Sequence, residues 1–226
     1  MRRNDKIGKL NEEVYNKIIE GLLVGKYKAG MAIKELELVE DLGVSRTPIR
    51  EALKKLEEQG LVTDIPYKGK IVTNLSHKDI VDIYDLREVL EGLAGRLASE
   101  RITSQEIEKL VKYNESCSLS LKNNSIPGYV NANDKFHALI NQTCTNKQLQ
   151  KMVAIIKNMN QLLIKATTHF PGSMERGVIE HTEIIKGLAK RDSVLVEKLI
   201  REHVIHSKEE FTKRYKDGFY LFDGIA

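Results

Sequence analysis

The sequence predicts a mainly α chain: an N-terminal winged helix-turn-helix over residues 1–75, then a C-terminal all-α helical bundle over residues 76–226. Three observations carry that division. Apolar residues recur at helical spacing on either side of Gly43-Val44-Ser45. Two short β-rich runs then flank Pro66-Tyr67-Lys68-Gly69, and from Ser76 onward amphipathic helical patterning continues with no further strand signal.

In the first domain, residues from about Asn11 to Val24 carry Val14, Ile18, Ile19, Leu22 and Leu23 on one side of a helix. Ile33 to Leu42 forms the next, with Leu36, Val39 and Leu42 at helical spacing, and stops at Gly43. The third opens at Ser45, a residue suited to capping, with Pro48 in the first turn where its missing amide costs nothing, and it ends at Gly60. Its apolar positions Ile49, Leu53 and Leu56 bury one face. Leu61-Val62-Thr63 and Lys70-Ile71-Val72-Thr73 then form a hairpin, the wing.

The third helix leaves Arg46, Thr47 and Arg50 on its open N-terminal side, where a recognition helix presents side chains to base edges and phosphates. Arginine in that position can fork onto guanine or clamp phosphate. The alternative is a solvated helix face. Charge does not decide between the two: residues 1–75 hold 14 Lys and Arg against 12 Asp and Glu, nearly the same balance as the rest of a chain whose net charge is +4. Apolar residues make up 41% of the 226, enough for real cores, and the absence of Trp with 6% aromatics points to aliphatic helix packing. Cys117 and Cys144 form no disulfide framework, and no apolar run approaches the roughly 20 residues of a membrane span. No secretory segment precedes the first helix, so a reduced, cytoplasmic protein is expected.

Gly43-Val44-Ser45-Arg46-Thr47-Pro48-Ile49-Arg50-Glu51-Ala52-Leu53, then Glu58-Gln59-Gly60-Leu61-Val62 and the wing glycine Gly69, resemble the N-terminal domain of the GntR family of bacterial transcription regulators. The resemblance implies operator contacts from Ser45, Arg46, Thr47 and Arg50, with Lys68 and Gly69 at the wing tip in the minor groove. It also shows a departure. Some members carry a further DNA-contacting arginine in the preceding helix, at the position occupied here by Leu36.

The second domain reads as helices over about Ser76 to Arg101, Thr103 to Lys122, Ile126 to Gln142, Asn146 to His169, Ser173 to Lys190 and Asp192 to Tyr215, with Ser76 to Asp79 as a capping signal and a tail containing Gly218 and Gly224. Three histidines lie on apolar faces of these helices. His137 follows Asn133 by four residues, which puts both on one face; His181 begins the stripe continued by Ile184, Ile185 and Leu188; His203 continues that of Val196, Leu199 and Ile200. Three imidazoles and an oxygen would suit zinc, nickel or a similar divalent ion, while core or interface histidines satisfied by other partners are the alternative. His77 and His169 lie near helix ends and read as structural or exposed.

Asn133-Asp134-Lys135-Phe136-His137, Glu180-His181-Thr182-Glu183-Ile184-Ile185, the Ala189-Lys190-Arg191-Asp192 turn and His203 are similar in order and spacing to the ligand-binding (FCD) domain of the FadR-like branch of the same family. Many such domains hold a metal through an Asp or Asn and three histidines, which implies Asn133, His137, His181 and His203 as ligands here. Asn in place of the commoner Asp removes a negative charge. Asp134 points about 100° around the helix and is a poorer candidate, and His206, one turn past His203, competes for the last position. Ile83, Tyr84, Leu90, Ala94 and Leu97 place Arg87 on a buried face, where it either pairs with Glu91 or grips a ligand carboxylate beside the metal, the part an arginine on this helix often plays in the branch. Glu91 and Arg96 receive no role.

The expected function is a homodimeric, ligand-responsive bacterial transcription regulator that binds double-stranded operator DNA and responds to a small carboxylate effector bound near the metal. Two rival classes follow from the same residues: a winged-helix protein-interaction module with structural histidines, and a metal-dependent hydrolase. No carboxylate or histidine beyond the candidate ligands is clearly placed as a general base, which weighs against the hydrolase.

Overall fold

The computed structural model describes residues 3–23, 25–73, 76–168 and 170–216, and the side chains of these except 3–7, 23 and 157–167. They form two compact units that divide between Ser76 and His77. In the first, α1 (Arg3–Leu23), α2 (Glu35–Leu42) and α3 (Arg46–Glu58) precede an antiparallel pair, β1 (Val62–Ile65) and β2 (Gly69–Val72), with Val62 opposite Val72 and Ile65 opposite Gly69. In the second, α4 (His77–Ser99), α5 (Ser104–Lys122), α6 (Ile126–Thr143), α7 (Lys147–Thr168), α8 (Ser173–Lys190) and α9 (Ser193–Lys216) follow with no strand among the described residues.

The first unit is closed by Val14, Tyr15, Ile18, Ile19 and Leu22 of α1 against Ile49, Leu53 and Leu56 of α3, all essentially without solvent contact. Helix α1 starts eight residues before the position its apolar stripe marks, because its first two turns are polar and carry no periodic signal. Its expected last residue, Val24, lies outside the described residues, as do His169 and the tail with Gly218 and Gly224. In α2 the buried residue is Leu38, with Leu36 57% exposed, so the apolar face is turned from the Leu36-Val39-Leu42 stripe. Gly43 ends α2 at φ 65°, a left-handed conformation that glycine adopts without penalty. Ser45 takes the N-cap position of α3 as expected, but its side chain accepts no capping hydrogen bond. Residues 30–33 run beside the hairpin through Gly30 N–H to Val72 O, Val72 N–H to Met31 O and Ile33 N–H to Lys70 O, a third extended segment that the sequence pattern does not signal.

The core of the second unit is aliphatic, centred on Ala94, Ala98, Leu110, Phe136, Ile140, Ile184, Leu188 and Ile200. Both cysteines are buried thiols, Cys144 in this core and Cys117 in a smaller cluster with Tyr129 and Ala132, and burial pushes the Cys117 thiol up to about 12. Small residues set the helix spacing that the histidines require. A β-carbon at Gly95 of α4 would overlap Ile200 Cδ1 of α9, and one at Gly187 of α8 would lie 3.0 Å from Val196 Cγ2. At the α8–α9 turn, Arg191 adopts φ 56° and donates to the carbonyls of Glu100 and Ile102 at 3.0 and 2.8 Å, which fixes where α9 begins. Helix α5 opens with a full capping box in which Thr103 Oγ1 accepts from Glu106 N–H and the Glu106 carboxylate accepts from Thr103 N–H.

Two outcomes follow. In Gly95→Ala, better helix propensity contributes about 0.8–1 kcal/mol, whereas overpacking against Ile200 costs about 1–3 kcal/mol. The net effect is a lower thermal midpoint, by differential scanning calorimetry. The Glu106 carboxyl is held below its ordinary value chiefly by the Thr103 backbone N–H, against a smaller opposing effect of burial. A depressed carboxyl contributes stability that is full above its unfolded value of about 4.3 and is lost as pH falls through the folded one. The stability gap between the native chain and Glu106→Gln, measured by urea denaturation, therefore narrows as pH drops from 7 toward 3.

Candidate functional site

Helices α6, α8 and α9 each send one imidazole to a common point. One ring nitrogen from each of His137, His181 and His203 lies within 4.8 Å of the other two. The three ring centroids form a triangle with 5.2 Å sides. His181 is fully buried and stacked on Phe136, with ring centroids 4.0 Å apart and planes at 15°. His203 is 8% exposed.

The hydrogen bonds behind these rings determine which nitrogen faces inward. Asn114 of α5 turns its amide Nδ2 to the Val178 carbonyl and to Thr182 Oγ1, both at 3.0 Å. A carbonyl can only accept, so Asn114 Oδ1 is the atom 3.2 Å from His181 Nδ1, and Nδ1 must carry the hydrogen. That leaves His181 Nε2 with a bare lone pair, and this atom is buried with no hydrogen-bond partner. His203 Nδ1–H donates to Glu180 Oε2 at 2.6 Å, which likewise frees its Nε2. Glu91 Oε2 lies 3.8 Å from His137 Nδ1. Burial, then the nearness of His203 and His137, holds the His181 imidazole well below its ordinary value, so it stays neutral near pH 7 with its lone pair at Nε2. An unpartnered buried lone pair beside two further imidazoles fits a divalent transition ion.

The remaining expected ligands are placed as follows. Asn133 is buried on α6, one turn before His137. Asp134 lies outside the three-imidazole group and lines a neighbouring cavity. His206 is not part of that group either; its Nδ1–H donates to Glu180 Oε1 at 2.6 Å, and it is half exposed. Burial opposes ionisation of Glu180, but the two imidazole donors outweigh it and hold the carboxyl below its ordinary value. His77 packs its ring against Phe211, stacked, and against Tyr215, tilted at 43°, which reads as a structural role.

The cavity beside His137 measures about 130 Å³ and is lined by Arg87, Glu91, Asp134 and Asn141 among apolar residues of α4, α6, α7 and α9. Arg87 is buried, with Nε 2.7 Å from Glu91 Oε1 and its guanidinium 5.2 Å from the Tyr84 ring centre. Of the two readings of Arg87, the structure shows the pair with Glu91, and both residues line the cavity. The Asn141 side-chain oxygen, also on the lining, is buried with no hydrogen-bond partner. Asn114, Glu180 and Asn141 were not singled out from the sequence. Glu180 adjoins His181 and could have been found that way; Asn114 lies 67 residues from His181 and had no signal.

In the first unit, Ser45, Arg46, Thr47 and Arg50 are all exposed at the start of α3, and Lys68 and Gly69 are exposed at the wing. Arg50 Nε is held by Glu35 Oε2 of α2 at 2.9 Å. The wing tip closes through Lys68 N–H to Ile65 O at 3.0 Å, with Tyr67 at φ 66° and Gly69 at φ 77°. Tyr67 is the most exposed of the large hydrophobic side chains described, and the sequence reading gave it no role. Lys70 is taken up by Glu57 and Asp64.

A helix-turn-helix with a wing, joined to a six-helix domain, is the plan of a DNA-binding transcription regulator. Residues 10–72 match the model of the bacterial regulatory proteins of the gntR family and residues 82–206 match the FCD domain, and the chain belongs to the GntR family with an FCD domain. It is 28% identical over 210 residues to the HTH-type transcriptional regulator YdhC of Bacillus subtilis (strain 168), covering 91% of this chain and 92% of that one. The probable D-xylose utilization operon transcriptional repressor of Paenarthrobacter nicotinovorans is 26% identical over 193 residues, covering 85% and 84%. Among solved structures, E. coli McbR/YncC superposes with a TM-score of 0.73 at 21% identity, covering 91% of this chain and 98% of that one. Among the described residues, no helix is long and apolar enough to cross a membrane.

Proposed function

We propose that this regulator acts as a homodimer on a near-palindromic operator, and that a small carboxylate bound beside a divalent metal in the helical domain sets its DNA affinity. The observation that carries the metal is the orphaned Nε2 of His181, facing two more imidazoles. His137, His181 and His203 would hold the ion, with Asn133 as the oxygen donor. Zinc or nickel suits neutral nitrogen donors better than magnesium or calcium does. Such an ion would offer open positions to a ligand carboxylate.

The chain's own residues would do the rest. Arg87 would meet the effector carboxylate in the cavity, sharing its charge with Glu91, and the apolar lining would exclude water from the remainder of the ligand. In the winged helix, Ser45, Arg46, Thr47 and Arg50 would contact operator phosphates and bases, and Lys68 and Gly69 would enter the minor groove. Arg50 must leave Glu35 to do so, a small loss because exposed ion pairs are weak. An effector that prefers the form of the dimer poorly aligned with DNA weakens operator binding by the same coupling free energy, typically about 1–3 kcal/mol. Relatives named as repressors support repression as the direction.

Fluorescence anisotropy of labelled duplex from upstream of the chain's own gene, at two salt concentrations, tests the DNA reading. Arg46→Ala is expected to weaken specific binding by about 1–3 kcal/mol, and an unchanged affinity would place the recognition face elsewhere. Elemental analysis of tag-free protein tests the metal. The native chain should carry about one ion per protomer and a His137→Ala, His181→Ala double variant almost none; equal content in both would refute the site.

A further inference from the structure

Three neutral imidazoles and the neutral amide of Asn133 bring no negative charge to a divalent ion, so the site read above needs its compensating charge from outside the ligand ring. Among the described residues, two carboxylates stand close behind the imidazoles. Glu91 approaches His137 Nδ1 only to 3.8 Å, and its other oxygen already answers the buried Arg87 at 2.7 Å. Glu180 is different. Its side chain is 18% exposed, and Oε2 accepts from His203 Nδ1–H at 2.6 Å while Oε1 accepts from His206 Nδ1–H at the same distance. Arg176 stays back at 3.9 Å.

We infer that Glu180 is a positioning residue for the metal: it supplies, one layer out, the negative charge and imidazole orientation that an aspartate at position 133 would supply within the ligand ring. The inference rests on the proposed metal site. A carboxylate that takes the Nδ1 hydrogen fixes the His203 tautomer, aims Nε2 inward and raises its basicity, and outer partners of this kind typically change metal affinity about 10–100-fold. Its place in the chain serves this role. Glu180 directly precedes His181, so one turn of α8 presents an inner imidazole and an outer carboxylate, and α9 returns both His203 and His206 to that carboxylate three residues apart.

A purely structural tie between α8 and α9 would use the same hydrogen bonds, so the test must separate charge from bracing. Metal-stripped full-length protein is titrated with zinc against a chromophoric chelator, and metal-free thermal midpoints are recorded alongside. Glu180→Gln, which keeps the side-chain shape, should weaken zinc binding about 10–100-fold. Adding Asn133→Asp in the same chain should tighten zinc binding by clearly more than that substitution does in the native chain, an excess that a lost brace would not produce. Asn133→Asp alone leaves the α8–α9 contact intact and should tighten zinc binding by about tenfold. Native-like zinc affinity in Glu180→Gln, or a gain from Asn133→Asp no larger in the Glu180→Gln chain than in the native chain, would overturn the inference. A native chain that binds no zinc or nickel would instead overturn the metal reading beneath it.

Discussion

Leaving a buried imidazole nitrogen without a hydrogen bond costs about 1–3 kcal/mol, and the helical domain bears that cost at His181 Nε2. The groups around it hold the ring in that state. Asn114, pinned by the Val178 carbonyl and Thr182, takes the opposite ring hydrogen, and Phe136 covers one face of the ring. If Asn114 were free to turn its amide, Nε2 could take the hydrogen and the inward lone pair would vanish. The tautomer of one ring thus depends on a residue of another helix, which depends in turn on a backbone carbonyl of the helix that carries the ring.

The close approach of the bundle helices has the same origin. Imidazole centroids 5.2 Å apart require α6, α8 and α9 to meet within side-chain reach. Glycine at 95 and 187 permits α4 and α8 to press against Ile200 and Val196 of α9, and the Arg191 turn sets where α9 starts. Alanine or valine at those glycines would push α9 outward and carry His203 with it. The burial of Arg87, by contrast, has a local explanation, because Glu91 and the Tyr84 ring balance its charge. Arg87 also lines a cavity with His137 and with Asn141, whose side-chain oxygen is buried without a hydrogen-bond partner.

The two units divide the work by how they place charge. Around the imidazoles, most polar groups are buried and matched pair by pair, so the atoms left over, His181 Nε2 and Asn141 Oδ1, are informative. On the winged helix, arginines stand exposed at the start of α3, where the electrostatics are screened. Arg50 illustrates the difference. Its ion pair with Glu35 is exposed and exchangeable, whereas the Arg87–Glu91 pair is buried.

Helical periodicity and local turn chemistry were enough to read from the sequence the two-part organisation, every helix of the bundle to within a few residues, the exposed arginines of α3 and the inward faces of His137, His181 and His203. Those properties are decided by neighbours three or four residues away. The same reasoning misjudged α2, where Leu38 rather than Leu36 is buried, because a two-turn helix has too few repeats to define a face. Ser45 takes the N-cap position that its residue type suggests, though its side chain makes no capping hydrogen bond. Periodicity fixes a side chain's direction about its own axis but not the height at which another helix crosses it. The meeting of the three imidazoles, the Asn114 bond that orients His181, the sharing of Glu180 by His203 and His206, and the cavity beside Arg87 were therefore decided only when the helices packed.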